Sequence, residues 1–177
     1  MKKFFTLLLL CVVTISAHCQ EAQSTNYSFL DKCLVEIGAK AGMRNKGTAP
    51  LSGNINLGYN FTPRFYAFVK AEGVIGLYNK DGEKTYTRSQ DLGGGIGIKL
   101  LSPKTSKESL DLRFSVANSI GNATWKHTSY DANIIWYQNS HKKRCVPYIG
   151  IGFQHINSHT AGFANYNGVY VTVGMRF

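Results

Sequence analysis

The chain has 177 residues, 44% of them apolar and 17% charged, which suits one domain with a core of its own. Its longest apolar stretch, Phe4 to Ile15, falls short of the ~20 residues that a membrane-crossing helix needs, so that class is excluded. The formal charge of +10 calls for an anionic counterpart.

Lys2 and Lys3, the apolar stretch and the small residues of Ala17-His18-Cys19 before Gln20 have the layout of a secretory signal peptide. Cleavage is expected after Cys19, dividing the chain into a leader (1–19), a short N-terminal segment (20–32) and a folded domain (33–177). Losing Lys2 and Lys3 lowers the charge from +10 to +8. An exported chain rarely meets nucleic acid, so anionic lipid or lipopolysaccharide is the expected counter-charge. Cys11 and Cys19 leave with the leader. Cys33 and Cys145 fall two strands apart in the strand map, roughly twice the ~4.8 Å interstrand spacing, and are expected to stay unbridged.

Beyond the leader, apolar and polar residues alternate in segment after segment, the period of a strand. "CLVEIGAKAGMR" sets Cys33, Val35, Ile37, Ala39, Ala41 and Met43 against Glu36, Lys40 and Arg44. "LSGNINLGYNF" (51–61) sets Leu51, Ile55, Leu57, Tyr59 and Phe61 against serine and asparagines. "FYAFVKAEGVIGLY" (65–78) sets Phe65, Ala67, Val69, Ala71, Ile75 and Leu77 against Lys70 and Glu72. Five more segments follow less strictly, at 91–101, 110–120, 129–138, 146–155 and 169–177. Eight strands of this length predict an all-β fold, an eight-stranded antiparallel barrel of meander topology. The connectors alternate in kind: "TPR" (62–64) and "NSHKKR" (139–144) read as tight, while "NKDGEKTYTR" (79–88) and "INSHTAGFANYN" (156–167) read as long and irregular. That asymmetry suits a transmembrane barrel, which "SPKTSKES" (102–109) fits less well.

A soluble barrel alternates too, so the charged face must decide. In mid-strand it carries Glu36, Glu72, Asp91, Asp111 and Asp131 against Lys40, Arg44, Lys70, Lys99, Arg113 and Arg176. Five acids and six bases nearly cancel, as a sealed lumen requires, because eight strands leave just enough width for side chains to fill. Tyr59, Phe61, Phe65, Trp136 and Phe177 gather at one rim on the opposite face, as in an interfacial aromatic girdle. The expected arrangement has apolar side chains toward lipid and ionic ones inside. A closed barrel pairs its last strand with its first, so "VYVTVGMRF" (169–177) can finish at the membrane rim.

Phe177, with Met175, Val173, Val171 and Val169 at alternate positions before it, resembles the C-terminal assembly signal of Gram-negative outer-membrane proteins. "VPYIGIGFQH" and "YVTVGMRF" are similar to the end of the small OmpA/OmpX-like β-barrel families. This resemblance implies the cell outer membrane as location, outer-membrane lipid and lipopolysaccharide as surroundings, the barrel-assembly machinery as partner through Val173, Met175 and Phe177, and a monomer. The function implied is structural or surface interaction, not an open channel.

Little in the sequence points to catalysis. "LGGGIGI" (92–98) lacks phosphate-loop spacing, so its glycines are expected to let strands curve and approach closely. His155 and His159 have metal spacing only on a helix, and no metal or cofactor is expected. "FQHINSHTAG" (153–162) is loosely similar to the His-x-Ser-Asn segment of the outer-membrane lipid A deacylase family. That alternative makes His155 the base and Ser158 the nucleophile, with a one-residue shift and no acidic residue after Asp131. Lys46, Lys80, Lys84, Arg88 and Lys126 are loop candidates for lipopolysaccharide phosphates.

Overall fold

The computed structural model describes residues 32–80, 83–101, 108–138 and 145–177. The expected leader, the N-terminal segment as far as 31, residues 102–107 of the fourth connector and "NSHKKR" (139–144) lie outside the described residues, as do the side chains of Lys80 and Lys84. Eight strands occur in chain order: β1 Cys33–Gly42, β2 Thr48–Asn60, β3 Phe65–Lys80, β4 Glu83–Leu101, β5 Ser109–Ile120, β6 His127–Tyr137, β7 Val146–Ser158 and β8 Tyr166–Arg176. Each pairs antiparallel with its neighbours, and β8 pairs back onto β1 through Glu36↔Arg176 to Gly42↔Tyr170, closing the barrel.

Several strands outrun the expected bounds. Residues 79–88, expected as a loop, belong mostly to β3 and β4, whose hairpin pairs as far as Lys80↔Glu83. Similarly, β6 begins at His127 and β8 at Tyr166. Where both faces of a strand end are polar, the apolar alternation that marks a strand disappears while its hydrogen bonds persist. At the opposite rim the chain turns within Phe61–Arg64, where the Thr62 hydroxyl accepts from the amides of Arg64 (3.3 Å) and Phe65 (2.9 Å). We call this the lower rim, and the rim of the β3–β4 hairpin the upper one.

The barrel is inverted in polarity. Glu36, Asp111, Asp91 and Arg113 are at most 3% exposed, whereas Val69, Ile96 and Ile151 on the outer face are 57–58% exposed. Val35 shares the parity of exposed Ile37 but is itself buried. Phe61, Phe65, Trp136 and Phe177 are exposed around the lower rim. Inward glycines of β4 make room for rings: a Cβ on Gly97 would lie 2.0 Å from Tyr66 Cζ, and one on Gly95 2.6 Å from Phe68 Cζ. Cys33 and Cys145 are both thiols, and Cys145 Sγ lies 3.4 Å from Met175 Sδ.

Candidate functional site

The lumen is filled in three tiers, each assembled from strands far apart in sequence. The lowest centres on the Glu36 carboxylate of β1. Arg113, from β5 on the opposite wall, donates Nη1 to Oε2 and Nη2 to Oε1, both at 2.7 Å, the forked geometry that makes arginine–carboxylate pairs strong. Arg176 Nε (2.7 Å), the Tyr137 hydroxyl (2.8 Å) and Asn56 Nδ2 (3.2 Å) donate to the same carboxylate. Arg113 also donates to the hydroxyls of Tyr66 and Tyr137. The Tyr66 hydroxyl in turn donates to Asp111 Oδ2 at 2.9 Å, which Arg176 Nη2 reaches at 3.0 Å. The Arg176 guanidinium lies 3.7 Å from the Tyr137 ring centroid, a cation–π contact.

The middle tier is a square of alternating charge. Glu72 takes Lys40 at 2.7 Å and Lys70 at 2.6 Å; Asp131 takes Lys70 at 2.5 Å and Lys40 at 3.4 Å. The Ser52 hydroxyl donates to Glu72 Oε1 at 2.5 Å. Between the two tiers lies a cavity of about 30 Å³. With ~10–15 Å³ the least that admits one water, that holds two or three at most and no continuous bore. The side-chain amide oxygens Oδ1 of Asn56 and Asn133, residues that line it, lack a hydrogen-bond partner among the described residues.

Near the upper rim, His127 Nε2 is 2.9 Å from Asp91 Oδ2 and its Nδ1 is 3.1 Å from the Trp125 carbonyl. Ser89 Oγ donates to the other Asp91 oxygen at 2.8 Å. Above them Trp125 packs with Val74, Ile156, Tyr166 and Phe163 as an apolar cap. Its indole N–H donates to Ser158 Oγ at 3.2 Å.

The structure therefore brings together Glu36, Asp111, Arg113 and Arg176 in one tier, and Lys40, Lys70, Glu72 and Asp131 in the next. Asp91 joins neither and pairs with His127. Lys99 stands apart near the lower rim, with its Nζ 2.7 Å from Asn60 Oδ1. Arg44 does not belong to the lumen: β1 ends at Gly42, and Arg44 is exposed in the turn that follows. Val173, Met175 and Phe177 all face outward and are exposed. Sequence reasoning missed His127, Tyr66 and Tyr137. His127 shares the parity of Ser129 and Asp131, a signal that starting the strand two residues late concealed.

His155 and Ser158 are not brought together. Inward residues of β7 are Gln154 and Ile156, so His155 looks outward, its Nδ1 2.5 Å from Asn167 Oδ1 and its ring 5.9 Å from that of Tyr130. Ser158 has the inward parity and takes the Trp125 N–H. The group beside His155 is thus an amide, where the alternative reading needs a carboxylate. His159 Nε2 contacts Thr128 Oγ1 at 3.0 Å, a different partner again. Among the described residues no group of three or more His, Cys, Asp or Glu is placed to hold a metal. Neither protein-family models nor curated proteins yield a match to the sequence.

Proposed function

We propose that the protein is an outer-membrane β-barrel of OmpA/OmpX-like kind, with a side-chain-filled lumen and a structural or surface-interaction role. One observation carries this reading: ionic groups occupy the inside of the barrel and aliphatic ones its outer wall. In water, a continuous apolar wall of this extent would drive association; in hydrocarbon it is the stable surface. On this reading the Phe61–Arg64 turn faces the periplasm and the long β3–β4 hairpin reaches the outside. Leader cleavage after Cys19, recognition of Val173, Met175 and Phe177 by the barrel-assembly machinery, and a monomeric state in lipid belong to the same reading.

The two ionic tiers, the 30 Å³ cavity and the Trp125 cap argue against an open channel. Reconstitution tests the proposal. The mature protein folds into lipid vesicles with a β-rich circular dichroism spectrum and a heat-modifiable gel shift, and gives no conductance steps in planar bilayers. Steady single-channel steps would remove the plugged-lumen reading.

A further inference from the structure

Among the side chains described, Arg88 is the only lysine or arginine that a strand places on the outer face; Lys40, Lys70, Lys99, Arg113 and Arg176 have the inward parity. It is exposed, and no ion pair within 4.0 Å among the described residues includes it. A guanidinium facing hydrocarbon is costly unless it lies near headgroups, and its forked donors match a phosphate.

Arg88 stands at one end of a groove of about 840 Å³ on the outer wall. Bare backbone forms the floor: Gly53 pairs with Gly73, and Gly73 with Gln90. A Cβ on Gly73 would meet nothing within 4 Å. Ile55, Ile75, Leu92 and Ile120 supply apolar lining. Down β4 the outward side chains run Arg88, Gln90, Leu92: a cation, then an amide, then hydrocarbon. A phosphate-bearing lipid met from its head presents the complementary order of anion, polar linkage and acyl chain.

We propose that Arg88 and the Gly53/Gly73 groove seat one phosphate-bearing lipid of the outer leaflet, the lipid A part of lipopolysaccharide. The guanidinium takes the phosphate, Gln90 faces the polar linkage, and an acyl chain lies over the two glycines. This inference rests on the membrane reading above.

The test loads the mature protein, in mild detergent, with lipid A and counts retained lipid by native mass spectrometry. Wild type retains one lipid A. Arg88→Gln and Gly73→Val, which fills the floor without a strained backbone, each lower retention at least tenfold. Dephosphorylated lipid A is retained by wild type no better than lipid A is by Arg88→Gln. Arg64→Gln, at the opposite rim, leaves retention unchanged, and a heat-modifiable gel shift shows that each variant is folded. Equal retention by all variants overturns the lipid seat while leaving membrane insertion intact, as does retention indifferent to phosphate. A dimer mass that Gly73→Val abolishes would assign the groove to a second copy and also overturn it. A wild-type protein that stays folded and monomeric without amphiphile removes the membrane reading and the seat together.

Discussion

Glu36 and Arg113 meet across the full width of the barrel, β1 to β5, through two hydrogen bonds of 2.7 Å each. Around them Arg176, Tyr66, Tyr137 and Asp111 complete a network in which each charge has an opposite one. Removing Glu36 alone would leave the buried Arg113 guanidinium without a carboxylate and take from Arg176 one of its two. Glu36→Ala is therefore expected to destabilise the barrel by about 3–5 kcal/mol, the usual cost of breaking a buried pair from one side. Urea unfolding in lipid vesicles, followed by tryptophan fluorescence, measures it.

The middle square predicts coupling. Lys70 touches both Glu72 (2.6 Å) and Asp131 (2.5 Å), so the effects of Lys70→Met and Asp131→Asn should not add. A double-mutant cycle on unfolding free energy is expected to return an interaction of about 0.5–3 kcal/mol, the range for directly contacting groups. A cycle pairing Lys70 with outward Ile149 serves as the additive control.

Both faces of β1, β2 and β3 are legible in the amino-acid order, because along these strands one face is polar and the other apolar. Strand ends are less legible: Thr85 and Thr87 suit a strand by propensity, but polar neighbours on both faces remove the pattern. Arg44 misleads for a related reason, since alternation continues past the last hydrogen bond of β1. Which charges meet is not legible at all. The Glu36–Arg113 contact joins residues 77 apart and depends on barrel closure and accumulated register.

Gly97 offers a test of packing. Its missing Cβ is the space occupied by the Tyr66 ring, and Tyr66 holds Arg113 and Asp111. Gly97→Ala must push that ring aside, at a cost of about 1–3 kcal/mol for overpacking. Gly73→Ala, with open space at its Cβ, is expected to cost far less in the same vesicle unfolding assay.

His155→Ala and Ser158→Ala are expected to leave the lipid A composition of cells unchanged, because the two side chains lie on opposite faces with separate partners. Mass spectra of extracted lipid A check this. Loss of a deacylated species in either variant would restore the hydrolase reading.

Outward charge separates a lipid-facing wall from a water-facing one. Ile151→Arg, at a residue 58% exposed near the middle of β7, should destabilise the vesicle-inserted protein by about 2–4 kcal/mol. On a water-facing wall the same change would be close to neutral.

The two tryptophans allow the inverted arrangement to be tested directly. Trp136 is on the outer face and 37% exposed, while Trp125 is 1% exposed inside the mouth. Single-tryptophan forms, Trp125→Phe and Trp136→Phe, are reconstituted in vesicles of acyl-brominated lipid. The inverted barrel predicts strong bromine quenching of Trp136 and little of Trp125. Trp136 left bright by bromolipid but quenched by aqueous iodide would mean that the apolar wall faces water, contradicting the account.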